Sequence, residues 1–258
     1  MTSTNDKRLS VETRAPLARI TFAHPPLNVF DFRMMDALLE TLKMLEPRRE
    51  ISTVILSGGE RGFSAGVDVA VHTAEQIQAM FQKFHGLILA LTRYPKITLA
   101  EVHGVCLGGG AELAMLCDMC FTTEKAKWGF PEITLGCYPP VACTALAALV
   151  GQKRAADLIF TGRTFSGQDA ADWGLANEAH PENELQEVIE GTLDHLFKLS
   201  PVALAHAKKA FYAWDSIHLD KGLARAEKIY IEELMQTEDA TEGIQAWLEK
   251  RRPEWKGR

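Results

Sequence analysis

Two largely apolar runs, each followed by a glycine-containing loop, limit most strongly how this chain can fold. The runs are Thr53–Ser57 and Ile97–Val102. Continuous apolar runs of this length are typical of strands that are covered on both faces, as in a parallel sheet. Segments with helical spacing or composition, 31–45 and 73–94, alternate with them along the chain. Alternation of buried strands and helices predicts an α/β core.

The order of the remaining elements divides the chain into two parts. Residues 8–22 alternate as two short strands with a turn at Ala15-Pro16. From about residue 142 the pattern is mainly helical, and a further break comes at Ser200-Pro201. We therefore expect an α/β core in residues 1–199 and a helical C-terminal region in residues 200–258.

Charge and composition disfavour several classes of protein. Acidic residues outnumber basic ones by 34 to 28, which gives a formal net charge of −6 and argues against a dedicated nucleic-acid surface. The first ten residues are polar, and no apolar run approaches the ~20 residues needed to span a bilayer. The five cysteines are expected to fill the core as thiols. We expect a cytoplasmic protein with no nucleic-acid or membrane partner.

Two glycine-containing loops are the first candidates for a functional site. They span residues 62–68 and 104–112, and each lies between a buried strand and a helix. Glycine lets the backbone approach a ligand closely, and amides at the start of a helix point outward without partners. Two such loops could present converging N–H groups to one oxygen, which is the geometry that stabilises an oxyanion. A tight turn with no catalytic role is the alternative.

Two glutamates in apolar surroundings strengthen the catalytic interpretation. Glu112 stands in the first turn of the helix that follows the second loop, and Glu132 lies in an apolar stretch after Pro131. A carboxyl group in an apolar setting has a raised pKa and can exchange protons near neutral pH. Two such groups could hold and polarise one water molecule. A helix-dipole partner or a hydrogen-bonded structural residue is the alternative for each.

These motifs together resemble those of the enoyl-CoA hydratase/isomerase (crotonase) family. The resemblance extends over about residues 10 to 255, and the segments that carry it are Pro25-Pro26-Leu27-Asn28-Val29, Gly62-Phe63-Ser64-Ala65-Gly66-Val67-Asp68, Gly108-Gly109-Gly110-Ala111-Glu112, Phe130-Pro131-Glu132-Ile133 and Gly174-Leu175-Ala176-Asn177. It implies a core of β-β-α spiral turns and C-terminal helices that pack against neighbouring subunits. It also implies a homotrimer or a dimer of trimers.

The resemblance assigns roles to individual residues. The amides of Val67 and Gly109 are expected to form the oxyanion hole, and Glu112 and Glu132 are expected to be the catalytic residues. Further contacts with the acyl-CoA substrate are expected at Leu27, Ala65, Asp68, Val69, Gly108 and Tyr138. Coenzyme A is part of the substrate, and we expect no metal ligand and no cofactor. Because both glutamates are present, a hydratase is the expected enzyme.

The segment 137–143 departs from the pattern of the common hydratases. It reads Cys-Tyr-Pro-Pro-Val-Ala-Cys, where those hydratases have a glycine-rich sequence. In the family this segment borders the acyl pocket, and the version present here is similar to cyclic dienoyl-CoA hydratases of aromatic degradation. The substrate could then be cyclohexa-1,5-diene-1-carbonyl-CoA. A rigid turn with no effect on specificity is the alternative.

Other functions stay open at this point. A double-bond isomerase or an acyl-CoA hydrolase could use the same scaffold, and a non-catalytic RNA-binding homologue is less favoured because of the negative charge. No two of the histidines His24, His72, His85 and His103 have the i, i+4 spacing of a metal site, and we expect surface or loop positions for them. Trp247 and the basic run 250–252 are expected at an interface helix.

Overall fold

The computed structural model describes residues 8–59, 61–212 and 215–256 of the 258-residue chain. Most of the polar N-terminal segment therefore lies outside the described residues. Within the described part the strands are β1 (Leu9–Arg14), β2 (Leu17–Phe22), β3 (Thr53–Ser57), β4 (Gly62–Ser64), β5 (Ile97–Val102), β6 (Val105–Leu107), β7 (Met119–Thr123), β8 (Lys127–Gly129), β9 (Thr164–Ser166) and β10 (Glu178–His180).

The helices of the described residues end with α10 at Leu248. They are α1 (Phe32–Leu45), α2 (Ile77–Thr92), α3 (Gly109–Met115), α4 (Pro140–Val150), α5 (Gln152–Thr161), α6 (Gly167–Asp172), α7 (Leu185–Leu196), α8 (Pro201–Phe211), α9 (Asp215–Glu232) and α10 (Glu238–Leu248). A short 3₁₀ turn at Pro131–Leu135 lies between β8 and α4. No helix of the described residues is both long and apolar enough to cross a membrane.

The strands form two sheets, and the chain visits them alternately. The larger sheet has the order β1-β2-β3-β5-β7-β10, in which only β1 and β2 are antiparallel. The smaller sheet has the order β4-β6-β8-β9, with β8 and β9 antiparallel. The chain repeatedly forms a strand of the larger sheet, then a strand of the smaller sheet, and then a helix. The predicted α/β fold with a β-β-α spiral is confirmed.

The predicted elements of the first 123 residues are present with small shifts of their ends. The turn at Ala15-Pro16 joins β1 to β2, and Asp31 caps α1 by accepting a hydrogen bond from the amide of Met34 at 2.8 Å. Helix α2 begins at Ile77 instead of residue 73. Four of the five cysteines are buried thiols, as expected, whereas Cys143 is exposed.

The interpretation of residues 142–199 as mainly helical was incomplete. Strands β9 and β10 lie in this stretch, and β10 pairs in parallel with β7 at the edge of the larger sheet. Strands β4 and β6 of the smaller sheet were also read as parts of the two glycine loops, and β8 was not predicted. Each of these strands has only three residues, which is too short to show a period in the sequence.

The helices beyond residue 200 pack against the sheets and helices of the core. Helix α9 contacts α2 and α4, and α10 contacts the 3₁₀ turn Pro131–Leu135. Helix α8 is attached by Lys208, whose ammonium group donates hydrogen bonds to the Asp118 carboxylate at 2.7 Å and to the Lys96 carbonyl at 2.9 Å. The division at residue 199 into two separate units stays a prediction.

Removing the Lys208 ammonium group is expected to destabilise the fold. Both partners are nearly buried, with 5% of the Lys208 side chain and 11% of the Asp118 side chain exposed. In Lys208→Met the Asp118 carboxylate would stay buried without its cation, so the free energy of unfolding should fall by about 3 kcal/mol in denaturant titrations. The matched change at exposed Lys209 should cost less than about 0.5 kcal/mol. Equal losses in the two variants would contradict this role.

Candidate active site

The predicted catalytic residues line one cavity of about 280 Å³. Its walls come from the segment 65–72, from the start of α3, from the segment 131–140 and from helices α2, α9 and α10. These parts are far apart in the sequence. The larger sheet and the spiral turns bring the two glycine loops together, and the helices beyond residue 200 complete the opposite wall.

The two glycine loops meet at Gly66 and Gly109. Gly66 has a φ of +97°, and a Cβ atom at this position would lie 2.9 Å from the Leu107 carbonyl oxygen and 3.2 Å from the Gly109 amide nitrogen. A side chain there would therefore strain the backbone and push the loops apart. The absence of side chains lets the amide of Gly109 approach the segment that carries the Val67 amide.

The amides of Val67 and Gly109 have no hydrogen-bond acceptor among the described residues. The Phe30 amide donates a hydrogen bond to the Gly66 carbonyl at 2.8 Å, and the Asp68 amide donates one to the Phe30 carbonyl at 3.2 Å. The backbone groups on either side of Val67 therefore face Phe30. In an extended chain the Val67 amide points to the other side. Gly109 is the first residue of α3, whose first amides have no acceptor within the helix. Both N–H groups are thus free to bind an oxygen atom.

Glu112 is held in the first turn of α3 by a backbone amide. Its side chain is buried, and Oε1 accepts a hydrogen bond from the amide of Ala142 at 2.9 Å. Burial raises the pKa of Glu112 well above the ordinary glutamate value, and the amides of Ala142 and Val141 oppose this rise in part. The carboxyl therefore exchanges its proton much closer to neutral pH than an exposed glutamate does.

Glu132 faces the same cavity from the 3₁₀ turn and packs against the Gly108 backbone. A Cβ atom on Gly108, which has a φ of +51°, would lie 2.6 Å from Oε1 of Glu132. Oε2 is buried and has no hydrogen-bond partner among the described residues. Burial raises the pKa of Glu132, and the charge of Glu112 raises it further. Because each charge affects the other, the two carboxyls titrate as one pair.

Most of the predicted site residues lie at this cavity, but two do not. The lining residues include Ala65, Val67, Val69, Gly108, Gly109, Glu112, Glu132 and Tyr138. Leu27 lies beneath the first loop, where its carbonyl accepts a hydrogen bond from the Ala65 amide at 2.9 Å. The Asp68 carboxylate caps the following turn at the amide of Ala70, 3.0 Å away. Leu27 and Asp68 thus support the loop that carries Val67.

The expectation for His85 was wrong. This histidine is buried on α2, its ring stacks on Phe81 with centroids 4.6 Å apart, and its Nδ1 is hydrogen bonded to the Glu227 carboxylate of α9. The sequence shows no i, i+4 partner because Glu227 is 142 residues away. His72 also lines the cavity, and burial lowers its pKa.

Apart from Tyr138, sequence reasoning missed the aromatic wall of the cavity. Its members come from the three helices α2, α9 and α10 and from the segment after the 3₁₀ turn, and they are Phe81, Phe84, Tyr138, Tyr230 and Trp247. Trp247 is half exposed and lines the cavity, and its expected place at a subunit interface stays a prediction. The apolar periodicity of α2 contained a signal for Phe81 and Phe84, but not for the direction in which they face.

Comparison with known proteins agrees with the fold and shows the family. The family model for enoyl-CoA hydratase/isomerase matches residues 12–258. The chain belongs to this family, which confirms the predicted resemblance and the prediction of an enzyme of the enoyl-CoA hydratase type, a hydro-lyase.

Individual relatives cover nearly the whole chain. A probable enoyl-CoA hydratase from Bacillus subtilis (strain 168) is 34% identical, over 93% of this chain and 95% of its own length. A cyclohexa-1,5-dienecarbonyl-CoA hydratase from Thauera aromatica is 32% identical, over 96% of both chains. The crystal structure of an enoyl-CoA hydratase from Mycobacterium avium subsp. paratuberculosis K-10 superimposes with a TM-score of 0.85 at 25% identity, covering 96% of this chain and 98% of that one.

Replacing Glu132 by glutamine is expected to stabilise the fold at alkaline pH. The pKa of Glu132 is raised above 4.5 in the folded state, so folding disfavours its ionised form. The contribution of the Glu132 carboxyl to the free energy of unfolding is therefore fully present below pH 4.5. It is lost as the pH rises through the raised pKa of Glu132. Denaturant titrations measure the free energy of unfolding of Glu132→Gln and of the parent. The difference in favour of the variant should be larger at pH 9 than at pH 5 by on the order of 2 kcal/mol.

The control for this pH effect is the same substitution at an exposed glutamate. Glu187 lies exposed on α7. The stability difference between Glu187→Gln and the parent should be the same at pH 5 and pH 9. A pH-independent difference for Glu132→Gln as well would show that burial does not govern the protonation of Glu132.

Proposed function

We propose that the protein adds water across the conjugated double bond of an enoyl-CoA thioester. The observation that carries this proposal is the pair of buried carboxyl groups of Glu112 and Glu132, which face one cavity together with the amides of Val67 and Gly109. Acid–base groups with raised pKa values and oxyanion donors are the two requirements of this reaction.

The reaction uses the two sets of groups in turn. The thioester carbonyl accepts hydrogen bonds from the amides of Val67 and Gly109, which polarise the conjugated double bond. Glu132 removes a proton from water as the water oxygen bonds to the β-carbon, and the negative charge moves to the thioester oxygen. Glu132 then returns the proton to the α-carbon. Glu112 orients the water, and its own orientation is fixed by the Ala142 amide.

The acyl end of the cavity favours a flat, uncharged group. Phe81 and Tyr138 pack edge-on against Tyr230, with ring centroids 4.8 and 5.1 Å away. No lysine or arginine is among the described residues that line the cavity. A charged acyl end would therefore lose its hydration without gaining a strong partner. A cyclic dienoyl-CoA such as cyclohexa-1,5-diene-1-carbonyl-CoA has the required shape, which would place the enzyme in aromatic degradation.

The remaining features of the proposal concern assembly, cofactors and location. We propose a homotrimer or a dimer of trimers, supported by large apolar side chains that are exposed in the single chain, among them Phe160, Phe211 and Trp255. The reaction as written requires no metal and no redox cofactor, because coenzyme A is part of the substrate. A cytoplasmic location and the absence of nucleic-acid and membrane partners stay predictions.

Loss of either carboxyl group is expected to abolish most of the hydratase activity. Glu112→Gln and Glu132→Gln should each lower kcat by roughly 10²- to 10⁴-fold, because each variant loses one member of the acid–base pair. The decrease in absorbance of the conjugated thioester on hydration measures the rate. Glu187→Gln, at an exposed position, should keep the parent rate. Full activity in both active-site variants would contradict the proposed mechanism.

A panel of acyl-CoA substrates is expected to show a preference for rings. The panel contains crotonyl-CoA, cyclohexa-1,5-diene-1-carbonyl-CoA and 2,3-dehydroadipyl-CoA, which ends in a carboxylate. We expect kcat/KM to be highest for the cyclic substrate, by about tenfold or more over crotonyl-CoA, and lowest for the charged one. Product analysis by mass spectrometry and chromatography should show addition of water.

A pair of variants connects this preference to the aromatic wall. Phe81→Leu should lower the ratio of cyclic to linear kcat/KM, whereas Phe121→Leu, which changes a ring buried away from the cavity, should leave it unchanged. A shifted double bond without added water would indicate an isomerase. Release of free coenzyme A without hydration would indicate a hydrolase. Either product pattern would overturn the proposed reaction.

A further inference from the structure

The hydroxyl group of Tyr230 is a buried polar group that the mechanism above does not use. Tyr230 lies on α9 and lines the cavity, and only 1% of the residue is exposed. Its hydroxyl oxygen has no hydrogen-bond partner that meets normal geometry among the described residues. A buried hydroxyl without a well-formed hydrogen bond destabilises the folded chain, so its presence requires another explanation than packing.

The Tyr230 ring is held in one orientation by its neighbours. Phe81 from α2 contacts it at an interplanar angle of 84°, and Tyr138 contacts it at 64°. The Tyr138 hydroxyl donates a hydrogen bond to the Ala226 carbonyl on the preceding turn of α9, at 2.7 Å. These contacts fix where the Tyr230 hydroxyl points. They connect α9 to the segment that follows the 3₁₀ turn carrying Glu132.

The nearest ionisable groups to the Tyr230 hydroxyl include Cys137 and Glu132. Burial raises the pKa of Tyr230, and the Cys137 thiol and the Glu132 charge raise it further. The phenol therefore keeps its proton and acts as a hydrogen-bond donor. The Cys137 thiol is itself directed to the Leu135 carbonyl, 3.6 Å away. The Tyr230 hydroxyl also interacts with this thiol. A sulfur atom is a weak acceptor, so the hydroxyl keeps the capacity to donate to an oxygen atom.

Glu132 has a matching unpartnered atom in the same cavity. Its Oε2 is buried and lacks a hydrogen-bond partner among the described residues, as the Tyr230 hydroxyl does. The ionised carboxylate can only accept hydrogen bonds, whereas the phenol has a proton to donate. An oxygen that donates to Glu132 and accepts from Tyr230 would satisfy both atoms. A water molecule and the hydroxyl group formed from it both have this capacity.

We propose that Tyr230 is a further catalytic residue, which donates a hydrogen bond to the oxygen atom that is added to the double bond. This proposal rests on the proposed hydratase function. As the water oxygen bonds to the β-carbon, one water proton moves to Glu132 and the other stays on the new hydroxyl. Tyr230 keeps its own proton throughout. In the reverse reaction the same hydrogen bond stabilises the departing oxygen.

The test is Tyr230→Phe in the full-length enzyme, assayed with crotonyl-CoA. This substrate has no oxygen in its acyl chain beyond the thioester carbonyl, so a loss of rate reports on the reacting oxygen. We expect kcat to fall by about 10- to 100-fold with a smaller change in KM, because one hydrogen bond to a charged transition state is lost. The melting temperature should be nearly unchanged or higher, since among the described residues the hydroxyl contacts only the weakly accepting Cys137 thiol.

Tyr94→Phe is the matched control for the loss of a buried phenol hydroxyl. The Tyr94 hydroxyl donates a hydrogen bond to the Leu42 carbonyl at 2.8 Å and lies outside the cavity. This variant should keep the parent kcat and show a lower melting temperature. The two variants should therefore change activity and stability in opposite patterns, which a purely structural role of Tyr230 would not produce.

Any other outcome would contradict the proposal. An unchanged kcat, or a lower melting temperature that accounts for the lost activity, would overturn the role of Tyr230. A loss confined to substrates with an oxygen on the acyl chain would show that Tyr230 recognises the acyl group instead of the reacting oxygen. If the parent enzyme hydrates no member of the acyl-CoA panel, the proposed function fails and this inference fails with it. An active parent with an unaffected Tyr230→Phe variant overturns this inference alone.

Discussion

The close contact between the Glu132 carboxylate and the Gly108 backbone is the constraint on which the site depends. Any side chain at residue 108 would overlap Oε1 of Glu132, and the φ of +51° is one that other residues rarely adopt. The contact joins the loop that begins α3 to the 3₁₀ turn of the next spiral repeat. It thereby sets the carboxyl of Glu132 beside the amide of Gly109 and the carboxyl of Glu112. The glycine loops are thus packing elements as well as amide donors.

The sequence predicted those parts of the fold and site whose signals are local. The apolar runs of β3 and β5, the glycine loops and the two glutamates each occupy a few consecutive residues, and the structure has them in the predicted places. The smaller sheet was not visible because its strands have three residues each. The resemblance to a family supplied the spiral, which no single segment encodes.

The missed site residues depend on long-range packing. His85 and Tyr230 stand on helices whose apolar positions look alike in the sequence. The Glu227 partner of His85 and the aromatic neighbours of Tyr230 are more than 80 residues away from them. Only the packing of α9 on α2 shows that His85 meets Glu227 and that Tyr230 enters the cavity. Tyr230 and Trp247 lie beyond residue 200, so the region predicted as a separate helical part contributes to the wall of the site.

Burial of two carboxyl groups in one cavity has a direct consequence for their chemistry. Each group loses hydration on folding, and the charge of Glu112 opposes ionisation of Glu132. Ionising both at once is therefore the least favourable state, and near neutral pH the pair tends to share one proton. A pair with one proton contains an acid and a base together, which water addition and proton return both require. The same burial disfavours the folded state at high pH, so the arrangement that suits catalysis is not the one that would give the most stable fold.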